Sequence, residues 1–260
     1  LKNHKEKVLI MVPTRELADQ AEASLASVGQ RFGLRTALLI GGAAMGRQVT
    51  NIRRRPHIII ATPGRLIDHL EQRTLSLDQV SILVLDEADR MLDMGFAPQV
   101  NKILAVVPTN RQTMLFSATM PPAIVDLSQR TAKNPVTVSV TPSGTTADRI
   151  DQSLTIVEKT AKSALLKQLL AETSGPTLVF TRTKYGAKKL CRTVSDFGVS
   201  AAEIHGNRSL PQRREALAGF KSGRYRVLVA TDIAARGIDV IGISLVINYD
   251  LPEQSEDYIH

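Results

Sequence analysis

Tryptophan is absent from these 260 residues, cysteine occurs once, and aromatic side chains make up only 4%. The lone Cys191 excludes an internal disulfide framework and suits a reducing cytoplasm. So few aromatics argue against a single-strand binder that stacks bases on an aromatic platform. No run of about eighteen apolar residues occurs and no signal-peptide pattern, so neither a membrane span nor secretion is expected. Zinc spacing is missing as well: the five histidines are scattered singly and read as surface or helix residues rather than ligands. What the chain has in excess is positive charge. A formal net charge of +8 favours a polyanionic partner, held through its backbone by amides and cations.

Residues 8–139 alternate two patterns. Strands are predicted at Val8–Val12, Thr36–Ile40, His57–Ala61, Ile82–Leu85, Gln112–Phe116 and Val136–Val140, with helices at Glu16–Phe32 and Arg65–Gln72. Residues 141–148 are small, polar and turn-forming, as a linker would be. A second series follows, with strands at Asp151–Val157, Pro176–Thr181, Ala201–His205, Arg226–Ala230 and Ser244–Tyr249. Its helices are predicted at Ala161–Glu172, Lys184–Asp196 and Pro211–Lys221. Alternation of this kind signals an α/β fold with parallel sheets.

The apolar run Ser81–Leu85 ends in Asp86-Glu87-Ala88-Asp89. Such a run reads as a strand buried on both faces, and acids at its exit stand where α/β sheets bind ligands. In nucleotide hydrolases the first carboxylate there holds Mg²⁺ and the next orients or deprotonates the attacking water. Four letters alone fit a solvated acidic turn equally well, so the company of the motif decides. Pro13-Thr14-Arg15-Glu16-Leu17-Ala18 and Thr62-Pro63-Gly64-Arg65 precede it; Ser117-Ala118-Thr119 and Ala230–Asp239 follow. Each of the first two joins a strand to a helix, whose free amides and positive end suit a phosphate. Thr14 could equally cap its helix. Gly41-Gly42 is a third small-residue turn after a strand.

As an ordered set, these segments resemble a DEAD-box ATP-dependent RNA helicase of superfamily 2, over essentially the whole chain. Met91–Gly95 and Asn248–Pro252 lean towards the bacterial RhlE-like branch. The resemblance implies two tandem RecA-like parallel-sheet domains that clamp ATP and RNA. They would span 1–140, incomplete at its N-terminus, and 150–260, truncated at its C-terminus, with 141–149 as linker. It also implies roles. Asp86 would hold Mg²⁺ through water, and Glu87 would orient the hydrolytic water. Asp89, Ser117 and Thr119 would couple nucleotide state to conformation. Asp232, Arg236, Gly237 and Asp239 would handle ATP. RNA backbone would meet Pro13, Thr14, Arg15, Gly41, Gly42, Thr62, Pro63, Gly64 and Arg65, and further along Thr181, Arg182, His205, Gly206 and Thr231. Leu210 departs from the family's usual Gln.

The family's phosphate-cradling loop, G-x-x-x-x-G-K-[ST], occurs nowhere in this sequence. His260 looks like the first letter of its H-R-x-G-R-x-x-R motif. The chain is therefore expected to be an internal fragment, with negligible ATP turnover by itself. Its first sheet is expected to be marginal, gapped or rearranged beside the strand ending at Ser117. The alternative is a nucleotide-independent RNA-binding remnant. A DNA track is disfavoured by Pro13–Ala18 together with Thr62–Arg65. Low sequence specificity, a monomer and a cytoplasmic location complete the expectation.

Overall fold

Residues 6–139, 151–232, 240–252 and 258 are described in the computed structural model. The chain divides into two compact units, Leu1–Gly144 and Thr145–His260. The stretch read as a linker, 141–149, lies outside the described residues, as do Arg236, Gly237 and Asp239.

The first unit runs β1 (Lys7–Met11), α1 (Arg15–Gly29), a 3-10 turn at Gln30–Phe32, β2 (Thr36–Leu39), α2 (Met45–Arg53), β3 (Ile58–Ala61) and α3 (Pro63–Glu71). It continues with β4 (Val80–Leu85), α4 (Ala88–Asp93), α5 (Ala97–Leu104), β5 (Gln112–Leu115) and α6 (Pro122–Thr131). Its five strands are parallel, in the order β2-β3-β1-β4-β5. Ile58-Ile59-Ile60-Ala61 is apolar at every position because β3 is covered on both faces, and all four residues are buried. Leu9, Met11, Leu83 and Leu85 form the centre of the core, closed by Leu66, Val100, Ile103 and Leu127 from the helices.

No gap interrupts this sheet among the described residues. β4 and β5 pair directly from Ile82↔Gln112 to Leu85↔Leu115. β5, the strand that ends before Ser117, lies at the edge of the described sheet and is half-exposed.

In the second unit come α7 (Lys162–Glu172), β6 (Thr177–Phe180), α8 (Lys184–Asp196), β7 (Ala201–Ile204), α9 (Leu210–Lys221), β8 (Val227–Ala230) and β9 (Leu245–Asn248). These strands too are parallel, ordered β7-β8-β6-β9. Phe220 and Ala216 pack on one face with Leu178, Ile204 and Leu228; Leu190, Val194 and Leu170 cover the other with Val179 and Val229.

Two strand assignments need correction. Val136–Val140 and Asp151–Val157 alternate apolar and polar residues, yet their described residues form no strand. Val136 and Ile156 are 89% and 93% exposed. Alternation makes a strand only where a neighbouring edge accepts it, and here none does. Of the histidines read as surface or helix residues, His69 lies on α3, whereas His57 and His205 lie outside helices and are buried. Arg213 on α9 is buried despite its charge, at 8% exposed.

Candidate functional site

Parallel strands bring their C-terminal ends to one edge, and in the first unit every candidate segment leaves from that edge. Sheet order then sorts them. The turns after β2, β3 and β1 are neighbours and hold Gly41-Gly42, Thr62–Arg65 and Pro13–Arg15; those after β4 and β5 hold the acids and Ser117–Thr119.

Asp86 leaves β4 with its amide donating to the Met11 carbonyl at 3.0 Å, and its Oδ1 accepts the Glu87 amide at 3.0 Å. Burial pushes its pKa above the ordinary carboxylate value, partly opposed by that amide. Glu87 has φ +49°, left-handed for a residue that rarely adopts it, and forms a 3.6 Å ion pair with Arg90. Strain of this kind is compatible with a functional turn.

Asp89 is 2% exposed and lies at the centre of a tight network. Thr119 donates to its Oδ2 from both amide (2.8 Å) and hydroxyl (2.7 Å), and Arg90 donates its amide to Oδ1 at 3.0 Å. The Asp89 amide reaches Ser117 Oγ at 3.3 Å, and that hydroxyl donates to the Thr119 carbonyl at 2.7 Å. Burial alone would raise the Asp89 pKa; Thr119, Arg90 and Ser117 outweigh it and hold the carboxylate below its usual value. Ser117 and Thr119 thus do more than cap their own turn: their bonds link the β4 and β5 turns.

On the other half of the edge, Thr14 caps α1, its hydroxyl accepting the Leu17 amide at 3.2 Å. Pro63 starts α3, where its missing N–H costs nothing. Arg15 lies so close to Gly41 that a Cβ there would sit 3.3 Å from its guanidinium, and Gly42 has φ +81°. Arg65 turns inward: it donates to the Ala43 carbonyl at 2.9 Å and pairs with Asp68 at 3.1 Å.

The second unit repeats the pattern of buried support behind a turn. Thr181, 2% exposed, donates its hydroxyl to Asp250 Oδ2 at 2.8 Å, and the Arg182 amide donates to the same oxygen at 3.3 Å. Lys162 Nζ reaches Asp250 Oδ1 at 3.1 Å and the Tyr249 carbonyl at 2.7 Å. Burial would raise the Asp250 pKa, but Thr181, Lys162 and Arg182 bring it below normal. An open groove of about 400 Å³ is lined by Lys162, Arg182, Thr183, Asp250 and Leu251. His205 is 4% exposed; its Nδ1 accepts the Asn207 amide at 3.3 Å, and its Nε2 faces Glu203 at 3.7 Å. Burial lowers its pKa despite Glu203. His205 therefore shapes the Gly206 turn from inside. Thr231 ends β8 with its amide on the Ile204 carbonyl at 3.3 Å, and Asp232 follows it.

Lys162 and Asp250 were not singled out from sequence. A signal existed for Asp250: an acid at a strand exit, as at Asp86. Among the described residues no group of three or more His, Cys, Asp or Glu side chains could hold a metal, and no helix is long and apolar enough to cross a membrane.

Known proteins match this layout. Residues 1–127 match the family described as DEAD/DEAH box helicase, and residues 161–260 the helicase conserved C-terminal domain. Over 258 residues the chain is 42% identical to the ATP-dependent RNA helicase DbpA of Bacillus subtilis, covering 99% of this chain and 54% of that protein. It is 45% identical to the ATP-dependent rRNA helicase RRP3 of Candida glabrata, covering 96% and 52%. The chain thus spans about half the length of these curated relatives. Among solved structures, Saccharomyces cerevisiae Dbp5 bound to RNA and ADP BeF3 superposes with a TM-score of 0.87 at 28% identity, covering 98% of this chain and 66% of that one. A DEAD box protein from Methanococcus jannaschii gives 0.50 at 36% identity, covering 98% and 69%.

Proposed function

This chain belongs to the DEAD/DEAH box helicase family, and from that premise we propose that the whole protein is an ATP-dependent RNA helicase. It couples ATP binding and hydrolysis to a sequence-tolerant grip on RNA backbone and to local duplex opening. The observation that carries this reading is the sorting of one sheet edge: phosphate-type turns lie on β2, β3 and β1, and the acidic constellation on β4 and β5.

ATP and Mg²⁺ are the cofactors of this reading. Asp86 fits a cation held through water. It is an acid at a strand exit whose burial disfavours its charge, so that a nearby cation would offset that penalty. Mg²⁺, when bound, neutralises charge on the phosphate oxygens. Glu87 orients the hydrolytic water and accepts its proton, and Asp89 with Ser117 and Thr119 links the two turns so that a change at one is felt at the other. Asp232, Arg236, Gly237 and Asp239 serve ATP handling. Thr14, Arg15 and the Gly41-Gly42 turn offer an N-terminal helix end, a cation and open backbone to RNA phosphates, supported by the net charge of +8. The reading extends to an RhlE-like bacterial parent, supported by Met91–Gly95 and Asn248–Pro252, to a cytoplasmic location, supported by the lone cysteine, and to a monomer.

A nucleotide-independent RNA binder is the second reading, in which the positive charge and the phosphate-type turns grip backbone alone. Affinity of the whole protein for a labelled single-stranded RNA, measured with and without a non-hydrolysable ATP analogue, separates the two. Tighter binding with the analogue, and weaker binding to DNA of the same sequence, is the expected result. Affinity indifferent to nucleotide assigns the chain to the second reading.

A further inference from the structure

Behind the Gly41-Gly42 turn lies a relay of side chains closed to solvent. Gln48 on α2 is 3% exposed and His69 on α3 is 0% exposed. Gln48 Nε2 donates to the carbonyls of Ile40 (3.0 Å) and Ala43 (3.3 Å), which bracket the two glycines. Both amide protons being used there, Gln48 Oε1 faces His69 Nε2 at 3.1 Å and accepts from it. In the neutral imidazole this bond places the proton on Nε2, so that Nδ1, 2.7 Å from the Thr74 hydroxyl, accepts its proton in place of the His69 carbonyl at 3.1 Å. Arg65 donates to the same Ala43 carbonyl at 2.9 Å, so helices α2 and α3 both grip this turn. The amides of Gly41 and Gly42, inside the turn, by contrast donate to no backbone carbonyl among the described residues.

A buried carboxamide and imidazole carry a desolvation penalty that aliphatic side chains filling the same space would avoid. Here they hold two carbonyls inward. A left-handed residue, Gly42 at φ +81°, then leaves successive N–H groups as the turn's open hydrogen-bonding groups, an arrangement suited to an anion.

We propose that Gln48, held in place by His69, is the positioning residue of the RNA edge: it fixes the Gly41–Ala43 turn so that its amides bind a backbone phosphate. The inference rests on the reading of this edge as a phosphate track. Gln48 touches no RNA; it acts through the turn.

The test compares binding of a labelled oligouridine to the whole chain and to Gln48→Leu, His69→Leu, His69→Gln and Arg15→Ala, across a salt series. Gln48→Leu is expected to weaken binding about ten-fold, the equivalent of about 1.4 kcal/mol, and to lower the salt slope by roughly one contact while remaining folded. His69→Leu should behave likewise, whereas His69→Gln, which can present an amide donor to Gln48, should restore most of the affinity. A folded Gln48→Leu variant with unchanged affinity and salt slope overturns the inference, even where its melting temperature drops. If that happens while Arg15→Ala weakens binding, the phosphate track stands and only the relay's role falls. If the unmodified chain binds no oligouridine, the track itself falls and the relay's role with it. Should Gln48→Leu fail to fold, ¹⁵N NMR of His69 in the unmodified chain decides: the Nε2–H tautomer supports the relay and the Nδ1–H tautomer overturns it.

Discussion

Asp89 shows how much a single residue can carry. Its carboxylate is enclosed, yet the amide and hydroxyl of Thr119 and the amide of Arg90 all donate to it and hold it ionised. Replacing Thr119 with Val removes a charge-assisted hydrogen bond, and the first unit should lose about 1.5–3 kcal/mol at neutral pH. Denaturant titration measures that loss. Because the folded pKa of Asp89 lies below 3.8, its contribution is complete above that value and fades as pH falls through the folded one. The gap between Thr119→Val and the parent should therefore close only in strong acid. At this scale the sequence was informative about chemistry and silent about support. Asp86, Glu87 and Asp89 announce themselves by following an apolar strand. Gln48 does not: a lone Gln in an exposed-looking helix gives no sign that it points inward. His69 was read as unremarkable for the same reason.

Among the elements, strand-to-helix turns decide the site. Thr14 caps α1, as the capping alternative had it, and the same residue stands on the edge proposed to meet RNA. Thr14→Ala should cost about 1 kcal/mol in stability and also weaken RNA binding. Gly42→Ala forces a Cβ into a left-handed position and should cost about 1–2 kcal/mol, with RNA affinity falling more than in Thr14→Ala. Thermal melts beside RNA titrations check both. Strands with apolar runs, such as Ile58–Ala61 and Val227–Ala230, were legible because burial on both faces forces their composition. Short helices such as Ala88–Asp93 and Ala97–Leu104 were not, since each offers barely two turns of periodicity. The false strands at Val136–Val140 and Asp151–Val157 show the converse failure, in which local alternation had no partner to satisfy it.

Across the whole molecule the excess of positive charge should set the terms of the proposed RNA binding. Affinity should fall steeply with salt, by roughly 0.7 log units per log unit of salt for each phosphate neutralised on a single strand. Arg15→Ala should lower that slope by about one contact without altering sequence preference. Two parallel sheets were legible from the alternating pattern, but the order of their strands was not, and that order is what separates the RNA turns from the acids. The central claim is that the acids on β4 serve ATP hydrolysis that answers to RNA. The most direct measurement is steady-state ATP turnover by the whole protein with and without single-stranded RNA, for the parent and for Glu87→Gln. The account predicts turnover stimulated by RNA in the parent and reduced roughly 10²–10⁴-fold in Glu87→Gln, which still binds RNA. Turnover indifferent to RNA, or equal in the two proteins, would contradict it.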